Sequence, residues 1–430
     1  MGARRNGTRP AGPLVSVITP LHAAGNAFVA EAWQSLRRQT YAHWEWLVLT
    51  NHGGVLPAEI TRDARVRTWP APPDLQGVGA LKQACCQQAA GAIFLELDAD
   101  DLLTPDALAD VVAALGAGAD VVYSDFAEFH HGTWAPNTYS ADFGWASYPM
   151  TYAGHALVAM AAPPVTPQNL RYVDWAPNHV RAWTRAAYAA VGGHDRALPF
   201  ADDHDLLCRG YLAGQRIERI PRPLYLYRVH GGNAVATRNA EIRQWTEAVY
   251  NRHVWPLAVK GARDAGLACV DLCGGLDPAP GFVPLDVTPT PGGIVADLRG
   301  RWPLADSSVG VLRAHDALEH IPDKIHVFNE AWRVLAPGGW FLSMTPSALG
   351  QGAFQDPTHC AYYVKNSFLY VTDPAFARYV PALTARFAES RVQEIYPSQW
   401  HRDNACPYIE AHLICLKDRY AHMGGQRWPR

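Results

Sequence analysis

An apolar run ends abruptly in carboxylates in Phe94-Leu95-Glu96-Leu97-Asp98-Ala99-Asp100-Asp101. Residues 92–97 read as a buried strand, and Thr104-Pro105-Asp106 opens a helix beyond it. Carboxylates at the carboxyl end of a strand in an open α/β sheet stand where such sheets bind ligands. Asp98 and Asp100 lie two apart, so an extended strand turns both side chains to one side. Two hard oxygen ligands facing one way suit Mg2+ or Mn2+, and such an ion suits a diphosphate. The bare Asp-x-Asp spacing is common, and the same residues also read as a solvated acidic turn capping a helix. A second acidic pair, Asp202-Asp203, stands at the start of a helix over residues 203–212. A carboxylate is favoured there electrostatically, and a simple cap is the plain alternative.

The pattern around these residues supplies a scaffold. Leu14-Val15-Ser16-Val17-Ile18-Thr19-Pro20 is a β-branched strand, residues 28–38 a helix, and Trp46-Leu47-Val48-Leu49 a second strand broken by Asn51-His52-Gly53-Gly54. Residues 66–69 make a third strand, and residues 77–90 a helix leading into the acidic strand. Strands alternating with helices imply a parallel sheet. A short strand over residues 223–229 precedes His230, and His179 precedes a helix over residues 182–190. Residues 139–178, rich in Trp, Tyr and Pro, suit the wall or lid of a binding site, or equally a packed insertion.

A helix over residues 241–254 is expected to break at Trp255-Pro256. Beyond it, a strand over residues 268–272 runs into Cys273-Gly274-Gly275. Later strands end in Asp286, in Asp297 and in His315-Asp316. A helix over residues 324–335 stops at Pro337-Gly338-Gly339, before a fifth strand over residues 340–344. The fold class is α/β with two domains: a disordered tail over residues 1–13, a first domain over 14–250, a linker over 251–266 and a second domain over 267–430. A chain of 430 residues exceeds one typical core. With 49% hydrophobic and 18% charged residues the composition is globular. A net charge of −3 gives no electrostatic case for an obligate nucleic acid partner. No apolar stretch reaches membrane-spanning length. The eight cysteines show no CxxC and read as reduced core thiols, which places the protein in the cytoplasm.

Seven short motifs occur in order: Val15-Ser16-Val17-Ile18-Thr19-Pro20, Ser35-Leu36-Arg37-Arg38-Gln39-Thr40-Tyr41, Trp44-Glu45-Trp46-Leu47-Val48, residues 95–101, Val191-Gly192-Gly193-His194-Asp195, Ala201-Asp202-Asp203-His204-Asp205-Leu206 and Tyr227-Arg228-Val229-His230. Together, over residues 13–233, they resemble the family 2 glycosyltransferases of GT-A fold. The resemblance implies a metal–diphosphate site at Asp98 and Asp100, with Asp100 the direct ligand. It implies Asp203, beside Asp202, as general base toward an acceptor hydroxyl. His230 would complete the metal or phosphate site with Arg228 nearby. Pro20, Asn51 and Lys82 would stand at the donor, Lys82 facing either the nucleotide or solvent. The family usually carries Asp-Asp-Gly-Ser after the second strand. Here Thr50-Asn51-His52-Gly53 replaces it, so no donor nucleotide is assigned, although Asn51 can still donate and accept hydrogen bonds.

In the second half, Val270-Asp271-Leu272-Cys273-Gly274-Gly275, Leu285-Asp286, Asp297-Leu298, Leu318-Glu319-His320-Ile321 and the run from Glu330 to Gly339 resemble the class I methyltransferases that use S-adenosylmethionine. Asp356-Pro357-Thr358-His359 is similar to a small subgroup of them. The resemblance implies cofactor contacts from Asp271, Cys273, Gly274, Gly275, Asp286, Asp297 and His315. The glycines would let the backbone approach the cofactor, and Asp286 would hold the ribose hydroxyls. His315, His320 and His359 are each candidates for the base of methyl transfer. The glycine motif is shorter than a full Gly-x-Gly-x-Gly, and the interval from Gly275 to Asp286 is too short for a full helix.

These expectations describe a metal-dependent, inverting glycosyltransferase that moves a sugar from a nucleotide-sugar donor to a glycan or other hydroxyl acceptor. Its second domain would bind S-adenosylmethionine and O-methylate the glycan. The alternatives are a second domain that only binds, a modified nucleobase or other non-glycan acceptor, and a binding scaffold in both halves.

Overall fold

The computed structural model describes residues 12–141, 144–177, 179–275 and 277–417. The expected tail over residues 1–13 lies outside them except for its last two positions. The chain forms two compact units, Met1–Tyr139 with Trp145–Val254 and Ser140–Gly144 with Trp255–Arg430.

In the first unit, β1 (Val15–Leu21), β2 (Trp44–Thr50), β3 (Val66–Pro70) and β4 (Ile93–Glu96) lie in the order β3-β2-β1-β4, all parallel. β1 and β2 are buried almost throughout, as strands covered on both faces must be. Their buried polar groups are paired: Ser16 Oγ donates to Glu45 at 2.6 Å, and Thr19 Oγ1 donates to the Leu97 carbonyl at 2.6 Å. Helix α1 (Val29–Arg37) buries Val29, Ala32, Ser35 and Leu36, one face at helical spacing. Helix α2 (Val78–Gln88) leads into β4.

The rest of the sheet is mixed, not purely parallel. Past β4 come the short β5 (Leu102–Leu103), helix α3 (Ala107–Gly116) and β6 (Val121–His130). The helix expected over residues 182–190 is instead β7 (Ala182–Thr184) followed by α4 (Arg185–Ala190). β7 slots antiparallel between β4 and β6, and Trp183 within it is 1% exposed. Burying a side chain of that size contributes about 3 kcal/mol, which overrides the local helical pattern. Helix α5 (Asp202–Leu212) and β8 (Ile217–Val229) follow, β8 running parallel to β6.

The break expected at Trp255-Pro256 does not occur. Helix α6 (Asn239–Asp264) continues through Pro256, so most of the expected linker is helical. Pro256 forfeits the hydrogen bond its N–H would give to residue 252, but the helix spans that gap.

The second unit holds β9 (Ala268–Leu272), β10 (Val283–Asp286), β11 (Ile294–Val295), β12 (Val309–His315), helix α7 (Lys324–Val334), β13 (Leu335–Pro346), β14 (Phe387–Ile395) and β15 (Tyr408–Cys415). Their order is β11-β10-β9-β12-β13-β15-β14; β15 pairs antiparallel with both β13 and β14, and the other pairings are parallel. The strand order reverses between β9 and β12, which creates the crevice where such sheets bind ligands. All eight cysteines are free thiols. No described helix is long and apolar enough to cross a membrane.

Candidate active sites

The strand carrying the acidic cluster ends at Glu96, so Asp98 and Asp100 do not lie on an extended backbone. They sit in a turn closed by the Asp101 N–H donating to the Asp98 carbonyl at 3.2 Å. Asp101 is wholly buried and structural: it accepts from the Tyr225 hydroxyl at 2.8 Å and the Arg228 N–H at 2.7 Å. Asp98 and Asp100 instead face a cavity of about 800 Å³ that Pro20, Asn51, Asp202, Asp203 and His230 also line. Burial pushes the Asp98 carboxyl up to about 6, and among the described residues nothing donates to it.

His230 was expected as a metal ligand and is held differently. The Gly232 N–H donates to its Nδ1 at 3.1 Å, so Nε2 carries the hydrogen and donates to Asp100 Oδ2 at 2.9 Å. His230 therefore orients Asp100, and its lone pair is spent. Asp98, Asp100 and His230 form no three-donor cluster among the described residues. The two carboxylates still fit a hard divalent cation that draws its other ligands from a diphosphate.

Arg228 is corrected more fully. It is 2% exposed, its Nε donates to the Asp100 carbonyl at 2.7 Å, and an Nη donates to Glu31 at 2.9 Å. It braces the acidic turn and is not a donor contact. Lys82 does not face solvent: it is 4% exposed, it lines the cavity, and its ammonium lies 2.8 Å from Glu96 and 3.6 Å from Asp202. Burial opposes its charge, but Asp202 and Glu96 outweigh burial and raise its pKa. Of residues 139–178, Val173 is the described one that reaches the cavity wall. The aromatic residues there pack on one another, as Trp145 does on Trp175 with centroids 5.6 Å apart. Asp142, Phe143 and Asn178 lie outside the described residues.

The sequence reading missed the centre of the charge network. Glu96 accepts from Lys82, from Arg181 at 3.0 Å and from His194 Nε2 at 2.8 Å. Arg181 also reaches Asp203 Oδ2 at 2.7 Å. A carboxylate inside the apolar stretch Phe94-Leu95-Glu96-Leu97 was the available signal, since a charge buried in a strand needs partners. Burial works against ionised Asp203, yet Arg181 and Lys82 hold its pKa below the usual range. Asp202, deeper at 4% side-chain exposure against 24% for Asp203, is pushed up by burial.

Neither acid is a simple helix cap. The residue before α5 is Ala201, in the left-handed region at φ 57° and ψ 20°, and it makes no side-chain cap. At the end of β2, the Asn51 N–H is tied to the Leu21 carbonyl at 2.8 Å, while its Oδ1 is buried without a partner among the described residues. His179, whose role the sequence left open, stacks on Tyr225 at 4.2 Å, and burial with Arg181 lowers its pKa to about 3, keeping it neutral.

In the second unit, β9 runs into Cys273, at φ 53°, and then Gly274 and Gly275. Asp271 is fully buried, taking two contacts from Arg313 at 2.8 and 2.9 Å and the Ala279 N–H at 2.9 Å. It fixes the loop from beneath and is not a cofactor contact. Gly274 is likewise small for an internal reason: a Cβ there would lie 3.1 Å from Asp271 and from Pro284. Asp286 ends β10 at the crevice. It accepts the Gly275 N–H at 3.0 Å and the Thr288 N–H at 2.7 Å, one on each oxygen. A lone pair stays free on each oxygen, so the residue fits two ribose hydroxyls.

Asp297 was expected to contact the cofactor. It is exposed and pinned to Arg299 at 2.7 Å. His315 meets Trp255 edge-on at 5.3 Å, and burial lowers its pKa to about 3. His320 and His359 lie together with ring centroids 4.9 Å apart, beside Glu319.

Residues 16–155 match the family model described as Glycosyl transferase family 2, and residues 267–343 match the one described as Methyltransferase domain. The chain carries a family 2 glycosyltransferase domain followed by a methyltransferase domain. Over 244 residues it is 30% identical to the O-antigen biosynthesis protein RfbC of Myxococcus xanthus, covering 55% of this chain and 17% of that protein. Over 244 residues it is 28% identical to the uncharacterized protein y4gI of Sinorhizobium fredii, covering 54% of this chain and 24% of that one. The chain thus spans less than a quarter of the length of either relative. Among solved structures, S. aureus TarS 1-349 in complex with UDP-GlcNAc superposes with a TM-score of 0.43 at 17% identity, over 59% of this chain and 72% of that one.

Proposed function

We propose that the first unit transfers a sugar from a nucleotide-diphosphate donor to an acceptor hydroxyl with inversion, aided by Mg2+ or Mn2+. The observation that carries this reading is the convergence of Asp98, Asp100, Asp202 and Asp203 on one cavity. Asp98 and Asp100 hold the cation, which when bound neutralises charge on the departing diphosphate. His230 fixes the rotamer of Asp100. The orphaned Asn51 Oδ1 accepts a hydrogen bond from the donor. Asp203 is the more accessible acid and takes the acceptor's proton. Arg181 keeps it ionised and aims it, while Lys82 and Glu96 anchor Asp202 behind it.

In the second unit Asp286 holds the ribose of S-adenosylmethionine beside the Gly275 turn, and the unit O-methylates the glycan. A polysaccharide acceptor agrees with the O-antigen name of the Myxococcus relative. The deciding experiment is a nucleotide-release assay on the full chain with a panel of nucleotide sugars, with and without chelator. Turnover that stops with chelator and returns with Mn2+ supports the reading. Turnover indifferent to chelator removes the metal, and no turnover with any donor removes the transferase.

A further inference from the structure

The short turn Leu318–His320 follows β12 and carries Glu319, which is 2% exposed. Its Oε2 accepts from Thr345 Oγ1 at 2.8 Å. Its Oε1 is buried without a hydrogen-bond partner among the described residues. Leaving a buried acceptor unsatisfied is costly, so this atom requires an explanation. The nearest cationic candidate, His359 Nε2, stands 4.0 Å away, too far for a hydrogen bond.

The two histidines are both set to leave Nε2 bare. His359 Nδ1 lies 3.0 Å from the Ala353 carbonyl, which can only accept, so Nδ1 holds the hydrogen. His320 Nδ1 lies 3.0 Å from Thr358 Oγ1. That hydroxyl donates to Asp356 Oδ1 at 2.6 Å, so it accepts from His320. The chain from Asp356 through Thr358 to His320 resembles the outer support that fixes ligating histidines in metal sites. One ligand atom each from Glu319, His320 and His359 lies within 4.8 Å of the others. A methyl-transfer base needs a single lone pair; a buried carboxylate and two imidazoles with ligand atoms within 4.8 Å of one another suit a cation better.

We infer that Glu319, His320 and His359 bind a divalent first-row transition ion, Zn2+ being the ion of choice for two imidazoles and a carboxylate. Bonds of about 2.1 Å set tetrahedral ligands roughly 3.4 Å apart. Closing Glu319 onto His359 from 4.0 Å therefore takes about 0.6 Å of side-chain adjustment, and a pair at the 4.8 Å limit about 1.4 Å. The remaining position takes water or a hydroxyl oxygen. The site is independent of the sugar-transfer reading and of the cation at Asp98 and Asp100.

The test uses the full chain, stripped with chelator, dialysed and titrated with Zn2+ and separately with Co2+, whose visible bands report tetrahedral nitrogen–oxygen ligation. The wild type should bind Zn2+ at this site and show the bands. Glu319→Gln and His320→Ala should each weaken that affinity roughly hundredfold or more and lose the bands. Asp100→Asn, altered at the other cation site, should keep both. His320 is only partly buried, so His320→Ala reports even where Glu319→Gln fails to fold, and circular dichroism checks both. Visible bands that survive in His320→Ala, or vanish in Asp100→Asn, overturn the assignment, as does a wild type that shows none.

Discussion

Arg181 lies 2.7 Å from Asp203, and the same Nη2 lies 3.0 Å from Glu96. One guanidinium thus couples the accessible acid of the cavity to the buried carboxylate at the end of β4. Because Arg181 lowers the Asp203 pKa, the base form persists as pH falls through the ordinary carboxylate range. At saturating metal, which holds Asp98 ionised, the acid limb of the pH–rate profile should therefore lie below the ordinary carboxylate range. Asp203→Asn should lower kcat by about 10²–10⁴ and leave donor affinity intact by calorimetry. Donor binding that collapsed with the rate would move Asp203 into the donor site or the scaffold.

Asp100→Asn should remove most metal-dependent turnover, since it takes one of two charges from the cation. His230→Ala should act through Asp100, weakening the Mn2+ dependence roughly tenfold to a hundredfold, with saturating Mn2+ restoring the rate. If excess Mn2+ rescues Asp100→Asn as fully as His230→Ala, the distinction between ligand and support is lost.

Asp98 is held against its preference. Its carboxyl moves from 3.8 to about 6 on folding. An acid raised in this way costs nothing well below pH 3.8, where both states are protonated. Stability falls as pH rises between the two values, and the full cost stands above them, at most about 3 kcal/mol at 1.36 kcal/mol per unit. Asp98→Asn should therefore stabilise the chain at pH 7 and not at pH 3.5, while impairing turnover. Equal denaturation midpoints for mutant and wild type at pH 7 would contradict the assigned cost.

How far the sequence predicted this arrangement varies by residue. The β-branched and apolar runs of β1, β2 and β4 were legible because strands buried on both faces need continuous apolar sequence. The pair Asp98 and Asp100 was legible by type, but its turn geometry depends on Asp101 meeting Tyr225 and Arg228, more than a hundred positions away. For the same reason the bracing role of Arg228, and the ion pairs of Lys82 with Glu96 and Asp202, were not foreseen. A cation's type is visible in sequence, whereas its partner is a tertiary fact. β7 was unreadable locally because its pairing with β4 and β6, and the burial of Trp183, decide its state. In the second unit Gly274 was recognised as a glycine that must stay small, but the crowding comes from Asp271 and Pro284.

Asp286→Ala should weaken S-adenosylmethionine binding tenfold to a hundredfold, from a loss of roughly 1.5–3 kcal/mol. It should also abolish the thermal shift the cofactor gives the wild type. An intact shift in Asp286→Ala would place the cofactor elsewhere, and no shift in the wild type would make this unit a binding module for something else.

Ala201 carries a methyl group in a backbone region that costs an L-residue roughly 1–2 kcal/mol, one residue before the acid pair. The penalty lies in its own φ and ψ, so no repacking of neighbours can relieve it. Selection for heat tolerance would therefore act on this position itself. A saturation library screened for survival after heating should return Gly and Asn at 201 and exclude Val, Ile and Thr, whatever side chains surround it.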